Sequence, residues 1–210
     1  MTDRIPAAAL VEAVLRVKAA IGDLAPMLDE LDAVAGDGDL GLTHRLAFRA
    51  IAGPETIQAP TWGGVLARCA ALFGSAAAST YGVTLSTGLE AAAAALEDVA
   101  AAGLADLVRA FGAAVDAVRR TGGADEGDKT VLDALIPAWR ALQAAEAQGL
   151  TLPVALKQAV EAAQAGAERT RALQPRTGRA SWNATRSVGH VDPGAFAVAL
   201  ILKTGVDALA

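Results

Sequence analysis

The stretch LADLVRAFGAAVDAVRR (residues 104–120) contains the pattern that decides the fold class. Its large apolar residues recur every three or four positions, which predicts a helix with one apolar face; they are Leu104, Leu107, Phe111, Val115 and Val118. About a quarter of the chain is alanine, the best helix former, whereas aromatic residues make up only 4%. No stretch shows a strand pattern that competes. The sequence therefore predicts an all-α protein whose helices pack closely through small residues.

Eight helices are predicted in all, and a single domain over residues 1–210, because no composition shift marks a boundary. Thr151 stands two residues before a proline and Asp192 directly before one, and each is suited to cap one of the last two helices. The predicted helices cover residues 6–33, 40–52, 62–73, 78–101, 103–121, 129–148, 152–173 and 193–208.

Charge and composition exclude several classes of function. The net charge of -5 argues against a protein that binds the phosphate backbone of DNA or RNA. The N-terminal residues lack the pattern of a signal peptide, and acidic residues at 97, 98 and 106 interrupt the most apolar stretch before it could span a membrane. We expect a soluble, cytoplasmic protein that contacts no membrane. Its single cysteine, Cys69, is predicted to be a buried helical thiol.

Three aspartates, Asp32, Asp37 and Asp39, fall within eight residues in the stretch LDAVAGDGDLG (31–41). The glycines of this stretch allow a turn tight enough to point several carboxylates at one place. Carboxylates packed together repel unless a cation neutralises them, and hard oxygen ligands suit magnesium. The alternative is a solvated acidic turn whose aspartates cap helices. The spacing does not fit an EF-hand, and GGADEGDKT (122–130) is not a P-loop, because Asp128 separates Gly127 from Lys129.

A connection of about twenty residues, 175–194, is much longer than the usual link between packed helices. Tryptophan, glycine and basic residues within it favour an ordered binding loop over a disordered segment. His190 in this loop and His44 are both interpreted as structural. Asp133 is either a surface carboxylate or a supporting residue of the site, and Trp182 is expected to pack rather than to stack on a base.

Together, LDAVAGDGDLG (31–41), GDKTVLDALIPA (127–138) and GRASWNATRSVGHVDPG (178–194) resemble the signature segments of the L subunit of dihydroxyacetone kinase. They occur in the family's order and spacing, so the resemblance covers nearly the whole chain. It implies an eight-helix antiparallel up-and-down barrel that binds nucleotide in the loops at one end. It also implies two magnesium ions, held by Asp32, Asp37 and Asp39, that bridge the phosphates of ADP or ATP.

The resemblance further assigns nucleotide-binding roles along the chain. Arg179 corresponds to an arginine that contacts phosphate and is the candidate catalytic residue. The remaining nucleotide-binding candidates are Leu40, Gly41, Leu42 and Thr43 in one turn, Ala76 and Ala77 in a second, Gly122 and Val131 near the adenine and ribose, and Asp192, Pro193 and Gly194 in a third turn.

Two departures from the family pattern affect the phosphate side of the expected site. Leu40 stands where the family usually has histidine, and Ala77-Ala78 where it usually has Ser-Gly. Ser75 or Ser79 could supply the missing hydroxyl if the loop shifts. The magnesium ligands are unaffected, so we expect these differences to bear on phosphate geometry and turnover.

The resemblance places the small ketose on a separate K-type subunit, so the chain is expected to be a kinase subunit with an alcohol-group acceptor. Free ATP and a phosphocarrier M-type subunit remain alternative phosphate sources, and a homodimer is left open. Two other functions stay in view: the nucleotide domain of a kinase with another acceptor, and a non-catalytic nucleotide sensor.

Overall fold

A computed structural model describes residues 3–76, 79–177, 181 and 184–209. Eight long helices make up most of this part of the chain: α1 (Ala7–Asp32), α2 (Leu40–Arg49), α4 (Trp62–Ala76), α5 (Thr80–Ala95), α6 (Leu104–Gly122), α7 (Leu132–Ala147), α8 (Leu152–Arg169) and α10 (Pro193–Asp207). Short helices α3 (Pro54–Ile57) and α9 (Ala184–Ser187) lie in two of the connections, and a 3-10 turn, Thr170–Ala172, follows α8.

The long helices form a closed ring in chain order. Each packs on the next, from α1 to α8, and α10 then packs on both α8 and α1. The apolar faces meet in one large core cluster, in which Val65, Val115, Ile136 and Leu142 are fully buried. The predicted all-α antiparallel barrel is confirmed, and a ring of alternating helices brings the loops of the candidate site to one end.

Glycines allow neighbouring helices to approach closely. A Cβ at Gly41 would lie 1.9 Å from the backbone oxygen of Ala25, and a Cβ at Gly166 would lie 2.0 Å from that of Asp133. Gly41 therefore lets α2 pack directly on α1, and Gly166 does the same for α8 on α7. These contacts explain how an alanine-rich chain with few large side chains fills its core.

The prediction that no strand forms was wrong for one short pair. Strands β1 (Ile5–Pro6) and β2 (Ala101–Ala102) are antiparallel, with Ile5 opposite Ala102. The indole N–H of Trp62 donates to the carbonyl of Ile5 at 2.7 Å. Such a ribbon depends on pairing between distant residues, which local patterns do not reveal. Helix α5 ends at Ala95 rather than at the predicted residue 101, and Ala101 belongs to β2 instead.

The structure confirms only some of the predictions for where helices α7, α8 and α10 begin and how they are capped. The Asp192 carboxylate caps α10 by accepting the N–H of Ala195 at 2.7 Å, as predicted. Thr151 precedes α8 in an extended conformation, but its side chain makes no capping hydrogen bond. Helix α7 begins at Leu132 rather than at residue 129, because Lys129 has a φ of 63°, outside the right-handed helical region. Among the described residues, no helix is both long and apolar enough to cross a membrane.

Candidate functional site

The acidic turn at the end of α1 is organised around Asp32. One oxygen of its carboxylate, Oδ2, accepts the N–H of Gly38 at 2.9 Å and that of Asp39 at 3.2 Å. Gly38 has a φ of 76°, and a Cβ at Gly36 would lie 2.2 Å from Asp32 Oδ1, so the turn requires both glycines. The backbone thus wraps around one carboxylate while the chain turns into α2.

This turn brings three carboxylates together. One oxygen from each of Asp32, Asp37 and Asp39 lies within 4.8 Å of the others. Asp32 is half-buried, and the other two are exposed to solvent. A set of hard oxygen donors with both protein and open solvent around it fits a magnesium ion that keeps water or phosphate in its coordination shell. The residues present therefore fit the metal that the sequence predicts.

A cavity of about 280 Å³ opens next to this cluster. Its walls come from the ends of helices that are far apart in sequence. Ten of the predicted site residues line it: Asp32, Asp37, Asp39, Leu40, Thr43, Gly122, Val131, Asp192, Pro193 and Gly194. The three sequence segments singled out above thus meet at one place in the fold.

The cavity has two chemically distinct sides. The three aspartates form one side, and apolar residues from the end of α6 and the start of α7 form another; the latter include Val118, Ala124, Val131 and Leu132. A nucleotide has the matching distribution, with a flat base and charged phosphates. The cavity is near the lower end of the volumes typical of ligand pockets.

The remaining predicted residues lie elsewhere. Gly41 and Leu42 do not line the cavity, because Gly41 packs against α1 and Leu42 donates its N–H to Asp29 Oδ1 at 3.1 Å. Ala76, at the end of α4, is half-buried and also does not line it. Ala77, Arg179 and Trp182 fall outside the described residues.

Two serines, Ser75 and Ser79, stand close in sequence to Ala77-Ala78, where the chain departs from the family pattern. Ser79 lines the cavity, and its Oγ accepts the N–H of Gly82, which caps α5. Ser75 instead donates to the carbonyl of Leu72 within α4 at 3.1 Å. Of these two candidates for the missing hydroxyl, Ser79 is the one that faces the cavity.

A buried polar group also supports the start of α2. The Nδ1–H of His44 donates to the carbonyl of Leu40 at 2.9 Å, which leaves Nε2 to accept from the Tyr81 hydroxyl at 3.1 Å. His44 is fully buried, and burial lowers its pKa, which favours the neutral ring. Its structural role was predicted, but its partner was not.

Three ionisable residues, Lys129, Asp133 and Asp192, are buried close to one another. The sequence did not predict this arrangement. The carboxylate of Asp133 accepts the N–H of Gly127 and of Thr130, each at 2.7 Å, so it supports the site and is not a surface group. Burial raises the pKa of Asp133, and burial raises that of Asp192 to about 7. Lys129 lies near both carboxylates, is 3% exposed, and has a pKa lowered by burial.

Comparison with known proteins identifies the chain. The DAK2 domain model matches residues 34–207, which include Asp37, Asp39 and every residue that lines the cavity except Leu31 and Asp32. The chain belongs to the DAK2 domain family. The predicted family is therefore confirmed.

Relatives of this DAK2 domain are kinases. It is 38% identical to the dihydroxyacetone kinase of Citrobacter freundii over 194 residues, which are 89% of this chain and 33% of that protein. It is 32% identical to the ADP-binding subunit DhaL of the PEP-dependent dihydroxyacetone kinase of Escherichia coli, covering 84% of each chain. The domain thus spans about a third of the first relative and most of the second.

The fold also matches a solved structure. The crystal structure of the Citrobacter freundii dihydroxyacetone kinase in complex with AMP-PNP and Mg²⁺ superposes with a TM-score of 0.72 and 31% identity. The match covers 95% of this DAK2 domain and 34% of that chain. Both the sequence and the fold therefore point to the same family.

Proposed function

We propose that this DAK2 domain is the metal-dependent, adenine-nucleotide-binding component of a dihydroxyacetone-type kinase. The observation that carries the proposal is the meeting of three carboxylates, Asp32, Asp37 and Asp39, at the mouth of a cavity with an apolar side. The names of the relatives support the same reaction class, since one is an ADP-binding kinase subunit and another was crystallised with AMP-PNP and Mg²⁺.

In this proposal the acidic turn holds two magnesium ions. Bound there, the ions would neutralise the phosphate oxygens during phosphoryl transfer. The chain's own residues provide the position: Asp32 fixes the turn through the N–H groups of Gly38 and Asp39. The outward-facing carboxylates of Asp37 and Asp39 then meet the phosphate side of the nucleotide.

The other walls are proposed to hold the rest of the nucleotide. Val131 and Gly122 would contact the adenine and ribose from the apolar side, and Leu40 and Thr43 would lie beside the phosphates at the start of α2. Asp192, Pro193 and Gly194, which also line the cavity, would complete the wall beside Val131. Arg179 would add a charged donor to the transferred phosphate, as the resemblance implies.

The acceptor is proposed to be a small ketose or polyol bound on a separate K-type subunit. The part of the chain that the structure describes contains one cavity with both a carboxylate cluster and several predicted site residues, and these belong to the nucleotide. Docking of the partner would bring the acceptor hydroxyl to the terminal phosphate. Positioning of two reactants can contribute about 7–11 kcal/mol to lowering the barrier.

Titration calorimetry with ADP tests the nucleotide site. We expect binding in magnesium, loss of binding in EDTA, and near-complete loss in Asp37→Asn and Asp39→Asn. Asp23→Asn is the matched control, since Asp23 is an exposed aspartate in the middle of α1. Equal ADP affinity in magnesium and in EDTA would refute a metal-bridged site.

A coupled assay tests the subunit assignment. The purified chain with magnesium, ATP and dihydroxyacetone should show no useful turnover alone and should gain it with a K-type partner. Replacing ATP by phosphoenolpyruvate and a phosphocarrier M-type subunit distinguishes the two phosphate sources. Robust turnover by the chain alone would refute the subunit assignment. Nucleotide binding without turnover, whatever partner is supplied, would instead support a regulatory nucleotide sensor.

A further inference from the structure

Lys129 has an unusual combination of features that the proposed nucleotide site does not use. Its side chain is buried, at 3% exposure, and its backbone has a φ of 63°. Within the described part of the chain, it is the sole non-glycine residue with a positive φ. A lysine rarely adopts this conformation, which is disfavoured by contacts of the Cβ. Something in the fold must therefore hold it there.

The ammonium group makes three hydrogen bonds to backbone carbonyls. Nζ donates to Ser187 at 2.6 Å, to His190 at 2.8 Å and to Leu173 at 3.2 Å. These acceptors are 44 to 61 residues away in sequence. They use the three donors of an ammonium group completely.

The three carbonyls lie at the two ends of one segment. Leu173 follows the 3-10 turn after α8, whereas Ser187 and His190 precede α10. Two further bonds join the same ends: the N–H of Gly189 donates to the carbonyl of Arg171 at 2.9 Å, and the N–H of Asp192 donates to Thr170 Oγ1 at 2.7 Å. Lys129 is the charged member of this junction.

The junction adjoins the candidate site. Lys129, Ser187, His190 and Asp192 all line the cavity. Burial lowers the pKa of Lys129, and the nearby Arg171 acts in the same direction, whereas the Asp192 and Asp133 carboxylates lie close enough to favour the charged form. A hydrogen bond from a charged donor is stronger than one from a neutral donor, which suits a group that must hold two chain ends together.

We propose that Lys129 is a positioning residue whose ammonium clamps the two ends of segment 173–190 and so fixes the cavity wall formed by residues 187–194. The left-handed backbone at Lys129 directs the side chain into the junction, and the three carbonyls hold it there. The inference rests on the proposed function for its effect on nucleotide affinity. Its effect on the segment itself does not depend on any ligand.

The test uses Lys129→Gly, because glycine adopts a φ of 63° freely and so removes the ammonium without adding backbone strain. Hydrogen exchange of the ligand-free protein should show faster exchange at the amides of Gly189 and Asp192, which are bonded across the junction. Magnesium-ADP affinity should fall by about tenfold or more. Lys203→Met is the control, since Lys203 is a partly exposed lysine paired with Asp207 on α10, and it should change neither measurement.

Chemical rescue separates a clamp from a space-filling role. n-Butylammonium added to Lys129→Gly should restore slow exchange and ADP affinity, whereas n-butanol should not. If the glycine variant does not fold, as judged by circular dichroism, Lys129→Met replaces it and the exchange measurement is repeated. Unchanged exchange at Gly189 and Asp192 in a folded variant would overturn the proposal, as would equal rescue by the alcohol. If wild-type protein binds no nucleotide, the proposed function fails, but the exchange result still decides the clamp.

Discussion

The hydroxyl of Tyr81 donates to Nε2 of His44 across 3.1 Å, and this bond ties the first turn of α5 to α2. The other ring nitrogen of His44 is bonded to Leu40, the first residue of α2. A single imidazole thus links two helix starts that face the cavity. The carbonyl of Leu40, a predicted nucleotide-binding residue, is held by this imidazole.

His44→Met and Tyr81→Phe should each destabilise the protein by about 1–3 kcal/mol, because each leaves a buried polar partner unpaired. The double variant should cost less than the sum of the two, since it removes both partners. Chemical denaturation of the four proteins gives the coupling energy. Additive effects would show that the bond contributes nothing to stability.

Gly41→Ala should separate α2 from α1. The new Cβ would lie 1.9 Å from the Ala25 oxygen and 2.7 Å from Asp29 Oδ1, so the helices must move apart. We expect a loss of about 1–3 kcal/mol, typical of overpacking, and weaker ADP binding. Denaturation and calorimetry measure the two effects.

Gly22→Ala is the control for this experiment, because nothing lies within 4 Å of a Cβ at Gly22, in the middle of α1. That variant should be more stable than wild type by about 0.5–1 kcal/mol, the usual advantage of alanine over glycine in a helix. Equal effects of the two substitutions would contradict a packing role for Gly41.

The stability of the metal-free protein should depend on the ionisation of Asp192. Burial raises its pKa to about 7, above the usual value of 3.8. The folded state therefore binds more protons than the unfolded state between these values, so the contribution of Asp192 to stability falls as pH rises from about 4 to about 7.

Asp192→Asn keeps an oxygen that can cap α10 but cannot ionise. In EDTA, its free energy of unfolding should vary less than that of wild type between pH 4 and 7, and it should exceed the wild-type value at pH 8. Denaturation at several pH values measures this, with Asp23→Asn as the control. A pH profile identical to that of wild type would show that Asp192 is not the group responsible.

Arg179→Ala should weaken ADP binding by about 1.5–3 kcal/mol, the usual range for a hydrogen bond to a charged group. Arg176→Ala is the control from the same loop, because its side chain is 76% exposed. Calorimetry with magnesium-ADP compares them. If neither ADP affinity nor turnover changes in the Arg179 variant, this residue does not reach the phosphates. If ADP affinity is unchanged but turnover falls, the residue acts in the transition state.

Local patterns predicted the features that depend on neighbouring residues. Asp192 caps α10 as predicted, because its carboxylate needs only the N–H of Ala195, three residues later. The acidic turn was foreseen for the same reason, since Asp32, Gly38 and Asp39 fold on one another. The helical periodicity of residues 104–120 likewise describes α6 well.

Local sequence patterns did not predict the contacts between residues that are far apart in the chain. The β1–β2 ribbon joins Ile5 to Ala102, and the ammonium of Lys129 reaches carbonyls 44 to 61 residues away. The positive φ of Lys129 gives no signal in a sequence, because glycine is the residue expected there. Gly41 was assigned to the nucleotide from its place in a motif, but the close approach of α1 gives it a packing role.

The burial of Cys69 makes the protein a convenient background for site-specific labelling. It is the only cysteine in the sequence, it lies in the core, and burial raises its pKa to about 12, so little reactive thiolate forms at neutral pH. A cysteine introduced at Val188, which is 42% exposed beside the cavity wall, would then take up a maleimide fluorophore alone. Such a conjugate would report on the surroundings of the cavity wall at residue 188 without the need for a cysteine-free parent.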